Sequence, residues 1–215
     1  MAVQLPDGSL VSLAAEYGEE IAVTAASNAK KAVLTLATGH GIKEGDLFVM
    51  HSGWSGIHNR VFRADLVSAD EVTVNADTTN TRRFKAGGGV GSVRVIEKWE
   101  EIQQILTFEA QGGEPQYATY EFLADDVENQ IPTKYSAQSI NINIADDESL
   151  PGYKAWMAAA DKRDIRALEV LLPNGSTLYY NGYPAMNPTP RMTKGEVMAV
   201  VGSYSIIGRV NRYSA

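Results

Sequence analysis

The chain has 215 residues, 44% of them hydrophobic and 21% charged, with a formal net charge of −7 and no cysteine. That size suits one large or two small domains with a full core, and the lack of thiols excludes disulfide frameworks, cysteine nucleophiles and cysteine-ligated zinc. No apolar run approaches the roughly 20 residues that span a bilayer, and no basic-then-apolar leader opens the sequence, so neither a membrane segment nor a secretory signal is expected.

Charge divides the chain. Residues 22–96 carry nine Lys+Arg against six Asp+Glu, net +3, while the remainder carries ten against twenty, net −10. The acidic remainder argues against a broad DNA-gripping surface, which needs clustered cations to neutralise phosphates.

In chain order, residues 1–21 hold the turn Leu5-Pro-Asp-Gly8 and a short strand, followed by Glu16, Glu19 and Glu20. They read as an arm or edge strand. Residues 22–96 then show short strands at even spacing: Lys31–Ala37, Leu47–Met50, Asn59–Arg63 and Glu71–Val74. Glycine-punctuated turns separate them, the pattern of a small all-β module. Lys85-Ala-Gly-Gly-Gly-Val-Gly-Ser92 reads as its exit linker.

Residues 97–215 return to a larger body. Strands are expected at Glu101–Glu109 and Tyr117–Leu123. A polar, acidic connection follows: Ala124, Asp125, Asp126, Val127, Glu128, Asn129, Gln130, Ile131, Pro132, Thr133 and Lys134. Ser139–Ile144 alternates polar and apolar, the period of a half-buried strand, with Ser139, Asn141 and Asn143 on one face and three isoleucines on the other. Leu150–Ala160 reads as a helix whose Tyr153, Trp156, Met157 and Ala160 share one side. Ser149 is placed to cap it, with Pro151 in its first turn. A hairpin of Ile165–Leu172 and Ser176–Tyr183 turns at Pro173-Asn-Gly175. Pro184, Pro188 and Pro190 should then break the strand, and Glu196–Ile207 reads as the last one.

Catalytic chemistry finds little support. His40, His51 and His58 match no metal-ligand spacing, and His40 reads as a turn residue. The glycine run 87–91 lacks the Gly-Lys-Ser/Thr ending of a phosphate loop and precedes no helix. The pairs Asp125/Asp126 and Asp146/Asp147 have no apolar pocket around them. No nucleophile elbow or triad can be assembled. We expect no enzyme, no metal and no cofactor.

The strand, short aromatic-bearing helix and Leu172-Pro-Asn-Gly175 hairpin between Ser139 and Tyr183, with Thr193-Lys-Gly-Glu-Val197 before a strand, resemble the tail-tube proteins of long-tailed, non-contractile bacteriophages. The similarity runs from about Glu97 to Arg212, with a shorter match at the N-terminus. His40-Gly-Ile-Lys-Glu-Gly-Asp46 resembles a module common in phage tail proteins. The resemblance implies a mainly β fold: a β-sandwich or barrel (1–21 and 97–215) with one short helix packed on it, plus an inserted small β domain (22–96). It implies hexameric rings stacked into a hollow tube, with DNA passing through unbound. Tape-measure and tail-end proteins would be its partners, and the virion, assembled in the host cytoplasm, its location. Residues 124–134 lie where family members contact the next ring, and Ser139, Asn141 and Asn143 become candidates for the channel wall. Related tail-terminator, distal-tail or secretion-tube subunits remain alternatives, as does an insert that binds carbohydrate or a host surface.

Overall fold

The computed structural model describes residues 5–215; the first four residues of the expected N-terminal arm lie outside the described residues. The chain is mainly β with one short helix. The strands are β1 Leu10–Ala26, β2 Ala32–Leu36, β3 Leu47–Ser52, β4 Arg60–Arg63, β5 Leu66–Ser68, β6 Glu71–Val74 and β7 Gly91–Glu101. Then come β8 Ile105–Gly112, β9 Pro115–Tyr120, β10 Asn129–Tyr135, β11 Gln138–Ala145, helix α1 Pro151–Lys162, β12 Arg166–Leu171, β13 Thr177–Arg191 and β14 Ala199–Tyr213.

One sheet has the order β4-β3-β7-β1-β12-β13-β14-β11-β8, with β2, β6 and β5 branching from β1. It is sandwich-like and does not close into a barrel within the chain. Register shifts interrupt the β1–β7 and β13–β14 ladders, where extra residues bend the long strands. β9 and β10 stand apart as a two-stranded hairpin.

Three apolar cores follow from alternation along these strands. One lies within 23–93 and includes Leu34, Phe48, Met50, Trp54, Phe62 and Val93. A second packs Ile140, Ile142, Ile144, Leu13, Leu168 and Tyr204 against α1. Trp156 is fully buried there; its Nε1–H donates to the Ala185 carbonyl at 3.0 Å, and its ring meets the strand at Gly202, where an added Cβ would come within 3.2 Å. The third core joins the other two: Ala14, Val49, Val61, Ile96, Ala167, Tyr179 and Tyr213.

Several expectations shift. The N-terminal strand is no edge: β1 runs for 17 residues between β7 and β12, and its acidic stretch coincides with the bulged part of the β1–β7 ladder. The strand expected at 101–109 is the end of β7 and the start of β8, divided near Gln104, whose φ is +57°. The prolines do not end β13. β12 pairs no further than Gly182, so beyond that point β13 has β14 alone, and an edge tolerates proline. The last strand runs to Tyr213.

The helix starts without a side-chain cap. Leu150 is the N-cap, while the Ser149 hydroxyl donates to Asp147 Oδ1 at 2.6 Å and so is turned to that local ring. α1 ends at Arg163, whose φ of +56° lets the N–H groups there bond the Ala159 and Ala160 carbonyls. The glycine run is no free linker. Gly88 and Gly89 pack on Trp54, whose indole N–H donates to the Lys85 carbonyl at 2.7 Å.

Candidate assembly surfaces

The residues expected at 124–134 belong to the β9–β10 hairpin. Residues 121–128 form its tip; Asn129–Pro132 pair with β9 from Asn129↔Tyr120 to Pro132↔Tyr117, and Thr133 and Lys134 fall in a register shift before Tyr135↔Pro115. Asp125 fastens the tip: its Oδ2 accepts from the Phe122 N–H at 3.3 Å and from Asn129 Nδ2 at 3.2 Å. Every residue of both strands is exposed. The hairpin nevertheless carries large apolar side chains, among them Tyr117, Phe122, Leu123, Val127, Ile131 and Tyr135. They occupy both faces, since the register Pro132↔Tyr117 and Ile131↔Ala118 sends Tyr117 and Ile131 to opposite sides; so many large apolar side chains left in water suit a contact site.

Ser139, Asn141 and Asn143 occupy alternate positions of β11 and are half-buried, while Ile140, Ile142 and Ile144 face the second core. Asn143 Nδ2 donates to Thr107 Oγ1 on β8 at 2.7 Å. β8 is the terminal strand of the sheet order, so among the described residues one of its edges has no strand beside it. On α1, Tyr153 and Trp156 are buried, Met157 packs at the margin of the same core, and Ala160 is half-buried. Gly152 and Ala159 complete the buried face. The helical spacing thus lies slightly rotated from the one read in the sequence.

The histidines sit in turns and at strand ends. His40 Nδ1 accepts from the Ile42 N–H at 3.0 Å, and its Nε2 lies 2.9 Å from the Ala69 carbonyl. His51 and His58 come together, ring centroids 5.8 Å apart. Partial burial, with His58 and Arg94 nearby, holds His51 below its ordinary value of 6.5 against an opposing pull from Glu20. Among the described residues, no three His, Cys, Asp or Glu side chains are grouped to hold a metal.

A cleft of about 500 Å³ lies between the C-terminal end of α1 and strands β1, β3, β7 and β13. Arg94, Arg163, Arg166 and Asp164 line it. The guanidinium carbons of Arg94 and Arg166 lie 5.2 and 5.5 Å from the Tyr17 ring centroid. Arg166 also donates to the Ala15 carbonyl at 2.8 Å and to Asp164 Oδ2 at 2.9 Å. Asn181, 2% exposed, faces the same space, and neither its Oδ1 nor its Nδ2 has a hydrogen-bond partner among the described residues. These residues are scattered from position 17 to 181, so no local motif announces them.

The family model for phage tail tube protein matches residues 52–215. The chain belongs to the phage tail tube protein family. No curated protein matches the sequence. As a tail tube protein the chain is a structural component of a phage tail and not an enzyme. No helix of the described residues is long and apolar enough to cross a membrane.

Proposed function

We propose that this tail tube protein assembles into hexameric rings that stack into the tube of a long-tailed, non-contractile phage, and that the tube conducts DNA into the host. The observation that carries this is the β9–β10 hairpin: both its strands are exposed throughout, and it carries large apolar side chains along its length. Family membership makes another copy of the chain its natural cover. Residues 124–134 then act in ring stacking, an open, heterologous contact that repeats without closing. The free edge of β8 suits the lateral joining of sheets around a ring, which removes the exposed edge.

Ser139, Asn141 and Asn143 are assigned to the channel wall, where small neutral side chains do not hold phosphate. α1, through Tyr153, Trp156, Met157 and Ala160, braces the outer face of the sheet. Residues 22–96 form a decorating module on the body 1–21 and 97–215. The containment of one apolar core within 23–93 supports that division, while β1 and β7 run unbroken through both junctions. Tape-measure and tail-end proteins are the remaining partners, and assembly takes place in the host cytoplasm.

Negative-stain microscopy of the purified protein tests the reading. Long tubes are expected from the intact chain. A chain in which residues 116–134 are replaced by a two-residue turn should keep its melting temperature and form no tubes. Unchanged tubes would remove the hairpin from the stacking contact, and isolated rings from the intact chain would favour a terminator-like role.

A further inference from the structure

We propose that the Arg94/Arg163/Arg166 cleft is the seat for the acidic hairpin tip of a neighbouring copy, so that each subunit is joined tip to cleft with the next. The inference rests on the tube reading and specifies the partner of the stacking hairpin.

Charge complementarity is the first argument. The tip, residues 121–128, contains Glu121, Asp125, Asp126 and Glu128 and no cation. Asp125 is committed to the turn, and the other three carboxylates point to no cation among the described residues. The cleft offers three arginines against one aspartate, in a chain whose net charge is −7. Concentrated positive charge on an acidic protein selects an acidic partner, and complementary patches fix register.

The second argument is chemical. Arg166 is held by Ala15 and Asp164, and it and Arg94 both lie over Tyr17, so two guanidiniums are pre-set before any ligand arrives. A deeply buried carboxamide with both atoms unpartnered is costly unless a ligand satisfies it. Asn181 offers one acceptor and two donors. A phosphodiester of the DNA backbone has only acceptors to give in return. A peptide turn has backbone N–H and C=O groups together with carboxylates, and so answers the whole set. Tyr17 and Tyr183 add aromatic wall for Phe122 or Leu123. Two different patches, each used once per subunit, make a heterologous contact, which extends into an open stack where its rotation does not close.

Three full-length variants and one cysteine pair test this. Asp126→Lys with Glu128→Lys reverses the tip, and Arg94→Glu with Arg163→Glu reverses the cleft. Each should raise the concentration needed for sedimentable tubes by at least about tenfold, the order expected for truncating or reversing a close charge pair. The chain carrying all four should form tubes again. The natural chain has no cysteine, so Asp126→Cys with Arg163→Cys should give a ladder of disulfide-linked oligomers on oxidation, collapsing to monomer on reduction. Melting temperatures control for folding. If the Arg94 change unfolds the chain, Arg163→Glu alone, at an exposed helix end, replaces it.

Tubes that survive cleft reversal, with no ladder, overturn the inference and leave the tube reading intact. If the natural chain forms no tubes, that reading fails, and the cysteine pair still decides: a ladder upholds tip-to-cleft joining and its absence overturns it. Retention of short duplex DNA by the natural chain, lost on cleft reversal while tubes persist, overturns it in favour of a nucleic-acid site.

Discussion

The Arg63 guanidinium carbon lies 4.5 Å from the ring centroid of Tyr213, and the Arg63 backbone N–H donates to the Tyr213 hydroxyl at 3.0 Å. The two residues are separated by 150 positions and join β4 to the last residue of β14. Beside them, Asn211 on β14 accepts from Arg60 and donates to the Val61 carbonyl. Val49, Val61, Tyr179 and Tyr213 form the apolar layer beneath. The 22–96 segment is thus docked on the body by an aromatic seam as well as by shared strands.

Removing that seam should be expensive. Tyr213→Ala should destabilise the chain by about 3–5 kcal/mol, as buried aromatic truncations do. Tyr213→Phe keeps the ring and loses one hydrogen bond, so about 1 kcal/mol is expected. Urea unfolding of the unassembled protein measures both. Equal small losses would mean that the seam contributes little.

Gly89 gives a second, sharper test. A Cβ there would lie 2.6 Å from the Ala26 Cβ and 2.9 Å from the Trp54 ring. Neither can retreat easily, because the Trp54 indole is fixed to the Lys85 carbonyl. Gly89→Ala should therefore cost about 1–3 kcal/mol by overpacking. A linker glycine would tolerate alanine without loss, and an unchanged denaturation midpoint would restore the linker reading.

What the sequence disclosed followed local periodicity. β6 at Glu71–Val74, the isoleucine face of β11 and the Pro173-Asn-Gly175 turn were legible because alternation and turn chemistry are written in neighbouring residues. Long bent strands were not. In β1 the Gly18-Glu-Glu20 stretch breaks the alternation, since a bulge changes which face the next residue takes. In β13 proline chemistry pointed to a break, but an unpaired edge relieves it. Ser149 had the right identity for a cap, yet Asp147 two residues earlier competes for its hydroxyl. The arginine cleft could not be found at all from spacing, because Tyr17, Arg94, Arg163 and Asn181 meet only through the sheet order.

Acid sensitivity should have a part traceable to His51. Its folded-state pKa is depressed by partial burial, His58 and Arg94. The unfolded chain therefore takes up a proton that the folded chain resists, and stability falls as pH drops below about 6.5 toward the lower folded value. His51→Gln should flatten that portion of the curve of denaturation midpoint against pH. Asp77 and Asp147, whose carboxyls are held below 3.8 by hydrogen bonds from Thr79 and Ser149, act in the same direction but only in more acidic solution. An identical pH curve for the variant above pH 5 would acquit His51.

The last prediction concerns the proposed channel wall. Strand alternation puts Ile140, Ile142 and Ile144 into the core, so changing the intervening asparagines does not open a cavity. Asn141→Lys with Asn143→Lys loses only the Asn143–Thr107 hydrogen bond, worth about 1 kcal/mol. Folding and tube formation should persist. If β11 lines the channel and rings are hexameric, two added lysines per subunit place about twelve positive charges in each layer facing the DNA phosphates. Such contacts release counterions and bind strongly at low salt, weakening steeply as salt rises. Particles carrying the double variant should eject DNA slowly in dilute buffer and recover speed as salt is raised. Ejection at the normal rate in dilute buffer, from tubes shown to contain both lysines, would place β11 away from the DNA.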